Sequence, residues 1–137
     1  MIEERYCSYE VARLLKEKGF DGLCGYLYCL DELVLAENGF DNRIKNSEIT
    51  DKEYITAPTH QMACDWVMEK DIYISPKYSC FRSRKGAPHY EWKPVILRLS
   101  TGNIIYSQLL DMCEYYKTYG EAVDAALKYS LENLVKI

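Results

Sequence analysis

The stretch TYGEAVDAALKYSLENL (residues 118–134) decides the fold class. Thr118, with Glu121 three places on, forms a capping box, in which hydroxyl and carboxylate each accept an otherwise orphaned backbone amide. Beyond it Val123, Ala126, Leu127, Ser130 and Leu134 recur at helical spacing and predict one inward face. Asp124, Lys128, Glu132 and Lys136 alternate in sign on the opposite face, which predicts a solvated ladder of ion pairs. A capped amphipathic helix is therefore expected at this end of the chain.

A second such helix opens the chain. Ser8 is the N-cap, Val11, Leu14 and Leu15 make the apolar stripe, and Gly19 followed by Phe20 predicts a Schellman stop. A third follows Pro58-Thr59, with Met62, Ala63, Trp66 and Val67 as its inner face, Trp66 as a core anchor and an end near Lys70. Each cap, Ser8, Thr59 and Thr118, has an alanine four places later, at Ala12, Ala63 and Ala122. A small side chain in the first turn lets the start of a helix approach its neighbour closely.

Between the helices the chemistry is that of strands. Tyr26 to Leu30, Leu33 to Ala36 and Ile72 to Ile74 are short apolar runs, and Asn38-Gly39 is a strong hairpin turn. Residues 41–53 are polar and read as a surface loop. Tyr78 to Ser83 and Tyr90 to Leu99 read as the arms of a hairpin, with Pro94 at an edge or bulge and His89 in the turn. Ile104 to Tyr106 reads as one more strand, and residues 107–116 are ambiguous. Helix first, helix last and hairpins between predict a single α+β domain over residues 1–137, a mainly antiparallel sheet with three helices on one face.

Composition narrows the function classes. The chain has 137 residues, 48% hydrophobic and 28% charged, with a net charge of −4, which excludes a disordered chain and does not advertise nucleic-acid binding. No apolar run has the length of a bilayer span, and Met1-Ile2-Glu3-Glu4-Arg5 does not read as a signal peptide, so a cytoplasmic protein without membrane contact is expected. The six cysteines, at 7, 24, 29, 64, 80 and 113, lack paired short spacings and predict free thiols rather than disulfides or a zinc site. No cofactor or metal is expected. Thirteen tyrosines are the extreme feature, suiting either half-wet strands or a contact surface.

Catalytic signatures are sparse. The phosphate-binding, zinc-protease and serine-hydrolase motifs are missing. His60 and Cys64 stand i,i+4 on one predicted helix, but spacing alone supplies neither an oxyanion donor nor an orienting acid. Asp65 and Glu69 share a helical face and read as solvated. The segment 77–93 sets five basic residues (Lys77, Arg82, Arg84, Lys85 and Lys93) against the single Glu91, a net +4 that leaves −8 to the rest of the chain. Tyr78, Phe81, Tyr90 and Trp92 interleave with those cations, so alternation predicts either a stacking platform for an anionic strand or an ordinary hairpin with charges outward.

Three stretches carry a resemblance: residues 8–20, residues 57–63 with Trp66 and Val67, and residues 119–134. In that order they resemble a group of small proteins encoded by anaerobic gut bacteria and by their phages or integrated mobile elements. The resemblance implies an intracellular protein carried by such an element and implies no activity. The group's usual leucine after Ala-Pro-Thr is His60 here. Three functional readings stay open. The first is a non-enzymatic module binding a protein partner, or its own copy, through tyrosines. The second is a nucleic-acid binder using Lys77, Arg82, Arg84, Lys85, Tyr90, Trp92 and Lys93. The third is a Cys/His enzyme.

Overall fold

The computed structural model describes residues 6–36, 43–82, 86, 88–104 and 116–135, with the backbone alone at residues 79–82 and 88–90. Among the described residues three helices, α1 (Tyr9–Glu17), α2 (His60–Met68) and α3 (Tyr119–Asn133), begin where their caps predict. Ser8 Oγ accepts the Val11 amide, Thr59 Oγ1 that of Met62, and Thr118 Oγ1 that of Glu121. The Schellman stop of α1 forms as expected: the Phe20 amide reaches the Leu15 carbonyl at 2.9 Å and the Gly19 amide that of Lys16 at 3.1 Å, with Gly19 at φ +97°. The reciprocal half of the capping box at Thr118 does not form. The Glu121 carboxylate instead accepts from the Thr118 hydroxyl at 3.4 Å.

Seven strands form antiparallel ladders among the described residues, so the chain is an α+β fold. They fall into three pieces. In the first, β1 (Tyr26–Cys29) lies between β2 (Glu32–Leu35) and β3 (Tyr54–Thr56). In the second, β4 (Ile72–Ile74) pairs with β7 (Ile96–Arg98), and in the third β5 (Lys77–Arg82) pairs with β6 (Pro88–Lys93).

The long arm expected from Tyr90 to Leu99 is two strands. Pro94 is buried and stands between the two, where the ladder breaks because proline offers no amide to continue it. The chain thereby passes from β5 to a new partner, β4. His89 lies in β6, opposite Phe81, and not in the turn, because Pro88 serves as the first residue of the strand. Ile104 forms a lone bridge to Leu97, and Tyr116 one to Trp92. The expected strand at 105–106 and the ambiguous 107–115 lie outside the described residues, as do the Asn38-Gly39 turn and Arg84 and Lys85.

The segment 41–53 is more than a surface loop. It carries a 3-10 turn, Asn46–Glu48, and Asn46 is buried. Its amide nitrogen donates to the Phe20 carbonyl and its oxygen accepts the Thr56 amide, both at 3.0 Å, so one side chain joins the end of α1 to β3.

Among the described residues one apolar cluster runs from Cys7 to Val135. Helix α3 sits at its centre, packed on α1, α2, β4 and β6. Val123, Ala126, Leu127 and Ser130 are buried as the periodicity predicts, Leu134 is half-buried, and Leu131 joins them. Burial of each such leucine is worth about 1.5–3 kcal/mol. Ala12, Ala63 and Ala122 are all buried, which lets the first turns of the three helices converge. Trp66 is half-buried at the rim of the core rather than within it, edge-on to Phe20 and covered by the Lys70 ammonium 5.0 Å from its ring centre. Among the described residues no helix is long and apolar enough to cross a membrane.

Candidate functional site

Convergence of the helix starts leaves a pocket of about 160 Å³ between α2, β4 and the first turns of α3. His60, Gln61, Cys64 and Met68 line it from one face of α2, Tyr73 and Ile74 from β4, and Tyr119 and Val123 from α3. A cavity of about 150 Å³ accommodates a benzene ring, so this space fits one aromatic or branched aliphatic group. Ile74 and Val123 are buried, while Met68, Tyr73 and Tyr119 stand at the rim, 39%, 38% and 51% exposed. The aromatic edge continues outward. Tyr119 meets Trp92 edge-on at 5.1 Å between ring centres, and Trp92 meets Tyr78, itself 52% exposed, at 5.0 Å. Period-two alternation in β4 produces part of this surface, turning Ile72 and Ile74 inward and Tyr73 outward.

His60 also faces away from the pocket. Its Nε2 lies 3.4 Å from Asp124 Oδ1, and the Cys7 thiol completes a group whose ligand-type atoms all lie within 4.8 Å of one another. Asp124 is not a rung of a solvated ladder. Its Oδ1 accepts the Ser8 amide at 2.9 Å, so a carboxylate of α3 caps α1. Lys128 likewise leaves the ladder and pairs with Glu10 of α1 at 3.0 Å, and Lys136 lies outside the described residues. Neither Cys7 nor Asp124 carried a signal in the sequence, since the contacts span 116 residues between Ser8 and Asp124 and 52 between Cys7 and Thr59.

The Cys7 and Cys64 thiols are both shifted toward the neutral form. Burial, reinforced by the Asp124 carboxylate, holds the Cys7 thiol well above the ordinary value, and the thiol points at the Thr59 carbonyl at 3.8 Å. Burial first and Asp65 second push the Cys64 thiol up to about 11. His60 and Cys64 do share the pocket wall, as their i,i+4 spacing predicts. Activation of a cysteine requires the opposite shift. Cys7, Cys24, Cys29 and Cys64 are free thiols, the first two buried; the Cys80 side chain and Cys113 lie outside the described residues. Asp65 and Glu69 are exposed, as expected for solvated carboxylates.

The basic segment is a real hairpin, in which Lys77 stands directly opposite Lys93 and Tyr78 opposite Trp92. Cys80 pairs with Tyr90 and Arg82 with Pro88, so Tyr78, Trp92 and Tyr90 occupy register positions of one face while Lys77 and Lys93 occupy the other. Trp92 is half-buried between Tyr78 and Tyr119, so this ring is already engaged within the chain. A shallower cleft, lined by Phe20, Asp21, Met62, Asp65, Trp66 and Glu69, lies on the far side of α2. No family model matches this chain, nor does any curated protein or solved structure.

Proposed function

We propose that this chain is a non-enzymatic protein-interaction module, of the kind carried by phages or mobile elements, whose contact face is the tyrosine-rimmed pocket. The carrying observation is the run of partly exposed rings, Tyr73, Tyr119 and Tyr78, beside a cavity sized for one apolar side chain. Aromatic rims around a small pocket are where binding energy concentrates at protein interfaces, because a ring excludes water while its hydroxyl still finds a partner. The raised thiols of Cys7 and Cys64 weigh against the competing Cys/His chemistry. The origin in a mobile element rests on the resemblance of the three helical stretches alone.

The test is a photo-reactive amino acid placed at Tyr73 in cells, with Glu132 as an exposed control on α3. A discrete adduct at position 73 that disappears with Met68→Glu supports the reading. Adducts equal at the two positions overturn it. Light scattering over a concentration series separates a second copy of the chain from a different partner.

A nucleic-acid reading retains one supporting observation, the Lys77–Lys93 pair. Like charges placed directly opposite repel, and an anionic ligand relieves them. It predicts single-strand binding that falls steeply with salt and is lost when Lys77, Arg82 and Lys93 become alanine. Absence of binding at low salt removes it.

A further inference from the structure

We propose that Cys7, His60 and Asp124 form a binding site for one divalent transition ion of the zinc class. The three donors come from three elements that meet at one point: Cys7 precedes the Ser8 cap of α1, His60 opens α2, and Asp124 lies in the second turn of α3. A thiol, an imidazole and a carboxylate are the donor types zinc takes, whereas magnesium and calcium sites use oxygen alone.

The spacing is close to what such an ion needs. Ideal zinc bond lengths place the donor atoms of a tetrahedral site roughly 3.4–3.6 Å apart. His60 Nε2 and Asp124 Oδ1 already stand at 3.4 Å. The widest separation in the group is no more than 4.8 Å, so the thiol has at most about 1 Å to close. Three protein donors leave a fourth position for water.

The donors are also held from behind, as metal ligands are. The Cys7 amide donates to the Pro58 carbonyl at 2.9 Å, and Tyr6 and Thr59 form a bridge, which fixes the strand carrying the thiol beside the start of α2. The Tyr28 hydroxyl donates to the Cys7 carbonyl. Asp124 is held by the Ser8 amide. The positive ends of α1 and α2 oppose a cation here, but each contributes only about half an elementary charge. On binding the ion the Cys7 thiol gives up its proton to solvent, and the resulting thiolate and the Asp124 carboxylate then contribute a full negative charge each. His60 is 12% and Asp124 25% exposed, so an ion has a way in, while Cys7 is wholly buried and forms the inner wall.

The experiment is a cobalt(II) titration of the full chain after treatment with a chelator, followed in the visible and near-ultraviolet. The expected result is one equivalent bound, with tetrahedral ligand-field bands and a thiolate-to-cobalt charge-transfer band, both displaced by zinc. Cys7→Ser should remove the charge-transfer band, and His60→Ala and Asp124→Asn should each weaken binding at least about tenfold. Cys29→Ser should change nothing. Circular dichroism in chelator establishes that each variant is folded; if Cys7→Ser does not fold, the two partly buried ligands, His60 and Asp124, decide. No binding by the folded wild-type chain at millimolar cobalt overturns the proposal. So does binding that survives both His60→Ala and Asp124→Asn, or a charge-transfer band that survives Cys7→Ser.

Discussion

Replacing Asp124 by alanine separates two accounts of the last helix. Were Asp124 one rung of a solvated ladder, its loss would cost no more than the exposed Glu132 eight residues on, within about 0.5 kcal/mol. In the structure Asp124 Oδ1 accepts the Ser8 amide at 2.9 Å and lies 3.4 Å from His60. A hydrogen bond to a charged acceptor is worth about 1.5–3 kcal/mol, and a carboxylate at a helix start about 0.3–1 kcal/mol, two descriptions that overlap here. The group is a quarter exposed, so screening places the loss near the low end, at about 2 kcal/mol. Asp124→Asn keeps an acceptor for the Ser8 amide but loses the charge, and should cost about 1 kcal/mol. For a chain of this length about 2 kcal/mol lowers the melting temperature by about 7 °C. Urea unfolding of wild type, Asp124→Ala, Asp124→Asn and Glu132→Ala, all in chelator so that no ion contributes, measures the series. If Asp124→Ala and Glu132→Ala coincide within error, the cross-helix cap is refuted.

Three further outcomes follow from other elements. Asn46→Ala strands a buried carbonyl at Phe20 and a buried amide at Thr56 and should cost about 2–4 kcal/mol by urea unfolding, whereas an ordinary loop residue would cost almost nothing. Leu30 holds φ +59° in the two-residue turn between β1 and β2 with its side chain exposed, so Leu30→Asn should stabilise by about 0.5–1 kcal/mol in the same assay. The Cys64 thiol stands at about 11 against an ordinary 9.0, so its alkylation in the folded chain should climb tenfold per pH unit up to about 11 and level off near 9 in denaturant, followed by peptide mapping. Since the folded value is the higher, the stability it confers is complete below pH 9 and is lost as pH rises from 9 toward 11.

Of the candidate site, the sequence made one part legible. His60 and Cys64 share a wall because four residues are about one turn of helix, a relation that needs no tertiary information. The rest of the pocket comes from Tyr73 on β4 and from Tyr119 and Val123 on α3, segments that only packing brings to α2. The hairpin turn at Leu30-Asp31 was equally silent, since leucine is a poor residue for positive φ and the neighbouring pairings of β1 enforce it. The basic hairpin was visible as a pair of strands, but the Tyr119 ring against Trp92 was not, and that contact changes what the platform can bind.

What the sequence determined by itself are the features whose causes lie within one turn of chain. The caps at Ser8, Thr59 and Thr118, the Gly19 stop and the inward stripe of α3 all involve partners no more than a few residues apart. Only the tertiary structure decided which polar groups leave water. Asp124 reads like any exposed helix charge until α1 arrives with its Ser8 amide, whereas Lys128 stays in water and pairs with Glu10 at the surface. Cys7, His60 and Asp124 become neighbours for the same reason: the buried alanines let three helix starts crowd one point, and no local pattern records that meeting.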